Sequence, residues 1–471
     1  STSRVHVSPE LTEVSGSGAP TSKWQQPFDA AITDVFAVQS EIATKVAQAL
    51  GAALGAGEEK RLSEKPTQNL AAYDAFLKGE EIRNGGANDP PSLRKQIGFY
   101  EQAVALDPGF AQAWAGVSTA NSSLYANGTP TPALAERARQ AAEKAIALAP
   151  NRSEGYLALG GYERLVAVDY PRALEQYKKG LSLAPGEASA LRGTALAEQG
   201  LGHWDAAVEH LRQAVSLDPR AAINLRVLGE TLLHLRRYAE AREAFDRGLA
   251  LAPTNLALIA FQAMSFLAEG DLAGARAVLK AAPKEVEPTA LVGFLANYND
   301  LVWVLDEGQR ELLLRLTPSA FDDDKGIWSL CLTQAYALRG DAANVRMYAE
   351  EARKAYEEQL RAAPNDAQRH VDLGLALAYL GRKEEAIREG ERGVALEPVS
   401  KDAQDGPYLQ HQLVRIYMLV GEPGKALDQL EPLLKIPYYL SPGWLKIDPN
   451  FDPLRKNPRF QKLVEGAAGS S

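Results

Sequence analysis

The side chains of this 471-residue sequence that could support catalysis or metal binding are six histidines, one cysteine and a few acidic clusters. The histidines are His6, His203, His210, His234, His370 and His411. None of them forms the HExxH pattern, which places two imidazoles one helical turn apart around zinc. His203 and His210 are separated by a predicted turn and part of a helix, so a metal pair there is the minor alternative. We therefore predict no metal site.

The other chemical candidates have structural interpretations. Cys331 follows Trp328 on a predicted helix and is interpreted as a packed thiol. The glycine-rich stretch at 51–57 is not followed by the Gly-Lys-Ser/Thr of a phosphate-binding loop, so we interpret it as a helix end and linker. Residues 322–324 are three aspartates, interpreted as a solvated turn, with cation contact as the alternative. Kinase HRD and DFG motifs are also absent, so we predict no catalytic residues and no cofactor.

Composition restricts the class of protein. Hydrophobic residues make up 46% of the chain, enough to bury a large core. The net charge of −9 argues against general nucleic-acid binding, which requires a basic surface. No apolar run approaches the roughly 18 residues of a membrane span. No signal-peptide pattern opens the chain, and Ser1 is expected to be a cut or processed terminus. The compartment stays open: cytoplasmic, or outside the cytoplasm beyond an upstream span.

The predicted helices, which would position a functional site, follow a repeated sequence pattern. Pro185, Pro219 and Pro253 are 34 residues apart, and so are Pro364 and Pro398. Each proline ends one helical pattern, since it cannot donate to the helix ladder, and another pattern begins after it. A fixed period near 34 residues is typical of an array of helix–turn–helix units.

The interior of one period, residues 220–253, indicates how such units would pack. Leu225 and Gly229 recur at helical spacing on the first helix, and Ala241 and Phe245 do so on the second. The small residues allow helices to approach closely, and the large ones fill the space beside each crossing.

This pattern resembles the tetratricopeptide repeat (TPR) family over residues 70–436, with about nine repeats. The resemblance implies an all-α, right-handed superhelical solenoid, with a small α/β remnant ahead of it. It also implies a non-enzymatic scaffold that binds a protein or peptide on its concave face. The expected domains are 1–67 (partial TolB-like segment and linker), 68–283 (first part of the array), 284–325 (irregular helical spacer), 326–436 (second part) and 437–471 (C-terminal cap).

The first 50 residues do not repeat. Residues 4–14 alternate in their first half as a strand does, 23–28 could form a second strand, and 34–50 form a helix. Thr33 or Asp34 is expected to cap that helix. The layout resembles the end of the TolB-like domain that precedes TPR arrays in bacterial serine/threonine kinases and adenylate-cyclase-like signalling proteins. That resemblance implies a sensory or regulatory C-terminal region whose catalytic domain is absent from this chain. An N-terminal cap is the other interpretation.

The TPR resemblance also places candidate partner-binding residues, because in that family the first helix of each repeat lines the concave face. These candidates are Arg164, Arg192, Gln199, Arg226, Glu230 and His234. Arg192 and Arg226 occupy the same position in consecutive repeats and would stack into a short ladder. Arginine suits carboxylates, so we predict an acidic segment or chain terminus as ligand. The alternative is a solvated surface on which Glu230 pairs with Arg226 one turn away.

Two further function classes remain open. The array could be structural and assemble with itself into an oligomer or filament. It could also be the regulatory appendage of an enzyme, which is compatible with the scaffold interpretation.

Overall fold

Helical hairpins fill most of the chain, and strands are confined to its start. The computed structural model describes residues 4–13, 21–31, 35–49, 66–84, 89–128, 130–298 and 300–465. Within those residues, strands end at Ala31 and every later element is helical. The predicted all-α solenoid with a small N-terminal β remnant is confirmed. No helix in this described part is long and apolar enough to cross a membrane.

The N-terminal strands form an interrupted antiparallel hairpin. They are β1 (Arg4–Val7), β2 (Glu10–Glu13), β3 (Thr21–Gln25) and β4 (Phe28–Ala31). β1 pairs with β4 and β2 with β3. Pro9 and Pro27 lie at the two breaks, because proline has no N–H for the ladder. Helix α1 (Val35–Ala49) packs on β3 and β4. The predicted caps Thr33 and Asp34 lie outside the described residues.

Nine helical hairpins follow within the described residues. The first six are α2/α3 (Leu70–Asn84, Pro90–Leu106), α4/α5 (Ala111–Asn127, Pro132–Leu148), α6/α7 (Ser153–Leu165, Tyr170–Leu183), α8/α9 (Ala188–Gly200, Trp204–Leu217), α10/α11 (Ala222–His234, Tyr238–Leu251) and α12/α13 (Leu256–Ala268, Leu272–Lys280). The last three are α16/α17 (Lys325–Leu338, Ala342–Ala362), α18/α19 (Ala367–Tyr379, Lys383–Leu396) and α20/α21 (Gly406–Leu419, Pro423–Leu433).

Glycine is required at two kinds of position in these hairpins. Gly202, just after α8, has a φ of 74°, a left-handed conformation that glycine adopts without a Cβ clash. Gly229 in α10 lies against the ring of Phe245 in α11. A Cβ at Gly229 would stand 2.4 Å from the Cε1 atom of that ring. The aromatic ring therefore occupies the space that the missing side chain leaves, as the small-and-large pattern predicts.

An irregular segment separates the sixth and seventh hairpins. It contains α14 (Pro288–Tyr298), a 3₁₀ turn (Leu301–Trp303), α15 (Glu307–Leu313) and a second 3₁₀ turn (Pro318–Phe321). Asp306 starts α15 with a capping box: its carboxylate accepts from the Gln309 N–H, and the Gln309 side chain accepts from the Asp306 N–H, both at 3.0 Å. Within the predicted irregular spacer, residues 306–309 therefore form the capped start of a helix.

The C-terminal part of the chain closes the superhelix onto its first half. The Ala403 N–H donates to the Gly200 carbonyl at 2.9 Å, and the Tyr438 N–H donates to the His234 carbonyl at 3.0 Å. The Ser441 hydroxyl donates to the Ala268 carbonyl. These three acceptors are the last residues of α8, α10 and α12, one repeat apart. Each closing bond thus satisfies a carbonyl at a helix C-terminus, where no partner exists within the helix.

The terminal segment consists of α22 (Pro442–Ile447), a 3₁₀ turn (Pro449–Leu454) and α23 (Pro458–Glu465). Its apolar residues Trp444, Phe451, Leu454 and Phe460 are buried. They cover the last hairpin, and α22 also contacts α12 in the first half of the array. The segment therefore joins two distant parts of the solenoid.

Enlarging a small residue at a helix crossing should destabilise the array. Ala241 in α11 is fully buried. Ala241→Leu is expected to lower the free energy of unfolding by about 1–3 kcal/mol through overpacking. The fully buried Ala207 in α9 should respond to Ala207→Leu in the same way. Urea titration followed by circular dichroism measures both effects.

The matched control is Ala239→Leu, which places the same side chain on the exposed face of α11. It should leave stability within about 0.5 kcal/mol of wild type. Equal stability of the three variants would show that the assigned register of α9 and α11 is wrong.

Candidate functional site

The inner side of the closed superhelix lines a cavity of about 800 Å³ that is open to solvent. First helices of several hairpins contribute to its wall. Representative lining residues, one each from α6, α10, α12, α16, α18 and α20, are Arg164, Glu230, Met264, Gln334, Asp372 and Tyr408. The cavity exists because the C-terminal hairpins face the first half of the array instead of continuing away from it.

A cluster of arginines lies on the inner surface of the first half. The Nη1 atom of Arg192, in α8, donates to Oδ1 of Asn224, in α10, at 2.6 Å. Burial, together with the positive charges of Arg83 and Arg226, lowers the pKa of Arg192 to about 10. Arg192 therefore stays charged at neutral pH, and its hydrogen-bond partner is a neutral amide.

The positive charges near Arg192 include that of Arg226, its predicted neighbour, and that of a further arginine. Arg192 and Arg226 are close enough for their charges to interact, and Arg83 joins them from α2. Sequence reasoning missed Arg83, because it lies in a non-adjacent repeat and only superhelical curvature brings it near. Arg226 also pairs with Glu230 at 2.9 Å, one turn further along α10, which is the contact that the alternative interpretation proposes.

The other three predicted residues have different environments. Gln199 is buried and donates to the Thr231 hydroxyl at 2.6 Å. His234 is buried beside the ring of Trp204, and burial lowers its pKa to about 4, so it is neutral. Arg164 lines the cavity, and its buried Nε atom has no hydrogen-bond partner among the described residues. His234 also lines the cavity, so of these three residues Arg164 is the charged one that borders it.

A second cluster, of carboxylates, lies where the C-terminal half meets the first half. Oxygen atoms of Glu397, Asp402 and Asp405 lie within 4.8 Å of one another. Asp402 accepts from the backbone N–H groups of Gln404 and Asp405, both at 2.8 Å, and from the Tyr170 hydroxyl. Sequence reasoning missed this cluster because its three members lie in the linker between α19 and α20, with no recognisable motif.

Buried ion pairs hold the wall between α16 and α20. Arg369 contacts Asp324 at 3.1 Å and Asp372 at 3.4 Å. Arg415 contacts Asp300 at 3.2 Å. Each carboxylate thus has an arginine that offsets the cost of burying its charge.

The aspartates at 322–324 and the thiol of Cys331 both lie in defined surroundings. The solvated turn proposed for residues 322–324 is wrong for Asp324, which is buried and caps α16 through the Gly326 and Ile327 N–H groups. Asp322 pairs with Arg94 from α3. The packed thiol proposed for Cys331 is confirmed: it is buried, and burial raises its pKa well above the ordinary value.

The chain is similar to several known proteins. Residues 192–255 match the family described as tetratricopeptide repeat. The chain is 33% identical over 95 residues to the small glutamine-rich tetratricopeptide repeat-containing protein 2 of Mycosarcoma maydis. It is 27% identical over 156 residues to the putative adenylate cyclase 3 of Rhizobium meliloti (strain 1021). The alignments cover 20% and 32% of this chain, and 27% and 25% of those proteins. The chain therefore spans about a quarter of the length of these relatives.

The chain is also similar to two solved structures at low sequence identity. A thermophilic TPR protein of Thermus thermophilus matches 42% of this chain and 100% of its own, with 20% identity and a TM-score of 0.36. The human IFIT1 dimer with m7Gppp-AAAA matches 76% of each chain, with 13% identity and a TM-score of 0.43.

Stability should fall as pH rises through neutrality, owing to the carboxylate cluster. Burial, then the charge of Asp402, raises the pKa of Glu397 from 4.5 to about 7 in the folded chain. The stabilisation from this bound proton is complete below about pH 4.5 and is lost as pH rises through about 7. We expect melting temperatures to fall between about pH 6.5 and about pH 8, because at lower pH the buried His234 and His411, whose pKa values burial lowers, contribute the opposite slope. Calorimetric melts across that range measure the slope.

Glu397→Gln should weaken this pH dependence, because its amide N–H can donate toward Asp402 in place of the proton. Burial also raises the pKa of Asp372 to about 7. Asp372 therefore contributes to the pH dependence of stability in wild type and in the Glu397→Gln variant alike. Glu384→Gln, at an exposed position, serves as the control and should keep the wild-type slope. A slope unchanged by Glu397→Gln would exclude Glu397 as a source of the pH dependence.

Proposed function

We propose that this tetratricopeptide-repeat protein is a non-enzymatic scaffold that binds a protein or peptide segment on the inner surface of its superhelix. Repeats of this family mediate protein–protein interaction, and the described helices provide a continuous inner surface for a ligand. Two buried arginines have structural partners: Arg369 pairs with Asp324 and Asp372, and Arg415 pairs with Asp300. These roles favour binding over catalysis.

The observation that carries the proposal is the environment of Arg192. Its guanidinium is half-buried, its hydrogen-bond partner Asn224 is neutral, and the nearby charges that lower its pKa are those of Arg83, Arg226 and Arg164. Arg192 is therefore a cation whose charged neighbours are also cations. A bound anion would stabilise its charge, and none of these neighbours supplies one. Arg226 is largely balanced by Glu230, so the excess positive charge is centred on Arg192.

This environment defines the class of ligand that we propose. A planar guanidinium with donors free to reach a ligand suits a carboxylate, which accepts two parallel N–H bonds. The proposed partner is therefore an acidic peptide segment or a chain terminus. The buried Asn224 accepts from Arg192 and thereby holds the guanidinium in place.

The proposed context is bacterial signalling, with this chain as the sensory or regulatory C-terminal region of a larger protein. The support is the partial similarity to a putative adenylate cyclase of Rhizobium meliloti (strain 1021) and the strand hairpin and helix that precede the repeats. In this arrangement, binding on the inner surface would report to a catalytic domain elsewhere in the parent protein.

The binding proposal is tested with a labelled Asp/Glu-rich peptide and its Asn/Gln counterpart, by fluorescence anisotropy at low and high salt. Wild type should bind the acidic peptide more tightly, with affinity falling as salt rises. Arg192→Glu combined with Arg226→Glu should weaken binding by at least about ten-fold. Arg192→Gln leaves the Arg226–Glu230 pair intact and should give a smaller loss of affinity. It keeps the test valid if the double variant does not fold.

The control combines Arg220→Glu with Arg247→Glu, two exposed arginines on other surfaces. It changes net charge by the same amount and should retain affinity within about two-fold. Equal losses in the two double variants would reveal general electrostatic attraction and remove the case for a site at Arg192. Unfolding is checked by circular dichroism.

Self-assembly is a second candidate, and an apolar row favours it. Leucine precedes the turn proline by two positions in most repeats, and four of these side chains are 37% to 51% exposed. They are Leu106, Leu148, Leu217 and Leu251. Because they occupy the same position in their repeats, they recur on one edge of the solenoid, where a second copy could cover them.

Sedimentation velocity distinguishes the two candidates. If the leucine row mediates assembly, the purified chain sediments as an oligomer, and Leu217→Glu with Leu251→Glu restores the monomer. Leu77→Glu, at a leucine of α2 that is 45% exposed, should leave the oligomer intact. A wild-type chain that stays monomeric up to high concentration rejects self-assembly without affecting the proposal for Arg192.

A further inference from the structure

Two buried side chains at the inner cavity have polar atoms without a hydrogen-bond partner. His234, in α10, is 7% exposed and Gln334, in α16, is 6% exposed, and both border the cavity. Within the described residues, neither the imidazole nitrogens of His234 nor the amide atoms of Gln334 form a hydrogen bond. Most buried polar groups in proteins do have such a partner. These two side chains therefore mark a place where a bound molecule can supply one.

Both side chains lie near the same carboxylate of the cavity wall. The ring centroid of His234 is 6.4 Å from that of Tyr439. The charge of Asp300 helps to raise the pKa of both the Tyr439 hydroxyl and the Cys331 thiol, after burial has done most. Cys331 precedes Gln334 by about one turn of α16, and Tyr439, Asp300 and Cys331 also border the cavity. One ligand can therefore contact both His234 and Gln334.

The charged side chains of this part of the wall already have counter-charges. Three carboxylates that border the cavity form ion pairs with arginine: Glu230 with Arg226, Asp300 with Arg415 and Asp372 with Arg369. Burial lowers the pKa of His234 to about 4, so its imidazole is neutral at pH 7. The unpaired groups are thus a neutral imidazole and a neutral amide, and they favour an uncharged ligand.

Aromatic and apolar side chains surround these groups. Phe261 and Met264 border the cavity from α12, and Tyr408 borders it from α20. The Tyr408 hydroxyl donates to Asp300 at 2.7 Å, which holds the tyrosine ring in place. A cavity of about 800 Å³ that combines aromatic surface with a few orienting polar groups is typical of small-molecule sites.

The side chain of Gln334 defines the group that it can recognise. A carboxamide presents a donor and an acceptor in one plane, so it can form two parallel hydrogen bonds with another amide-type group. The neutral imidazole of His234 offers one further donor and one further acceptor. Aromatic side chains pack well against a flat ring. Because the cavity is open to solvent, a ligand with these groups can replace water without loss of hydrogen bonds.

From these observations we propose that the inner cavity binds an uncharged planar ring compound that carries an amide-type group. Gln334 pairs with the amide-type group, and His234 binds a second polar atom of the ligand. The ring packs against Phe261 and Tyr408. This site goes beyond the function proposed for the arginine surface around Arg192, and it borders that surface, because Arg164 lines the cavity and its charge also acts on Arg192.

The test is a ligand-observed NMR titration of the full chain with benzamide. We expect saturable binding, at least about five-fold tighter than that of benzoate, which has the same ring and a carboxylate in place of the amide. Gln334→Leu removes the amide at similar volume and should weaken benzamide binding by at least about five-fold. Because the amide has no partner in the folded chain, this variant should not lower the melting temperature.

A second variant keeps the test decisive if Gln334→Leu does not fold. His234→Phe retains an aromatic ring beside Trp204 and removes both nitrogens. It should also weaken benzamide binding, by at least about three-fold. Circular dichroism and melting curves establish that each variant is folded.

The matched control is Gln213→Leu, at an exposed position of α9 outside the cavity. It should keep benzamide affinity within about two-fold, and so should Arg192→Gln. Conversely, Gln334→Leu should leave binding of the acidic peptide within about two-fold of wild type, so that failure of this proposal is distinguishable from failure of the proposal for Arg192.

Four results overturn the proposal. Wild type shows no saturable benzamide binding, a folded Gln334→Leu or His234→Phe variant keeps wild-type affinity, or Gln213→Leu loses as much affinity as the cavity variants. Tighter binding of benzoate than of benzamide also overturns it, because recognition then belongs to the charge of Arg164.

Discussion

The structure depends on three hydrogen bonds that join its C-terminal part to the ends of three first helices. The acceptors are the carbonyls of Gly200, His234 and Ala268, one repeat apart, and the donors are Ala403, Tyr438 and Ser441. Carbonyls at a helix C-terminus have no partner within the helix, so the closing segment satisfies groups that every repeat leaves exposed. Arg236 reinforces this contact by donating to the Leu434 carbonyl at 2.8 Å.

Closure also explains why so many charged groups are buried. In an open solenoid the inner surface is wetted, and its carboxylates would need no partners. Once the C-terminal half faces the first half, Asp300, Asp372 and Arg415 lie away from bulk water, and each requires a counter-charge or hydrogen bonds. Asp300, for instance, also accepts from the Tyr408 hydroxyl at 2.7 Å. The folding back forms the cavity, and the ion pairs of Arg369 and Arg415 contribute to its C-terminal side.

The repeat architecture could be predicted from the sequence because its causes are local. Proline at a fixed period, glycine at Gly229 and phenylalanine at Phe245 specify helix ends and crossings within about 34 residues. Closure could not be predicted in this way, since Gly200 and Ala403 meet across two hundred residues with no motif at either position. Arg192 and Arg226 were identified as candidates because they are one repeat apart. Arg83 and Asp405 were not identified, because superhelical curvature, which the sequence pattern does not specify, sets their relation to the site.

The equal spacing of the three closing acceptors has a consequence for how this protein can unfold and diverge. In an open repeat array each unit contacts only its neighbours, so units can fray, be lost or be duplicated at nearly independent cost. Here Gly200, His234 and Ala268 must all meet partners at fixed positions far along the chain. Duplicating or deleting one repeat between α8 and α22 would put the acceptors out of step with their donors. The array thus has a set number of units, and its two halves are expected to melt as one cooperative body.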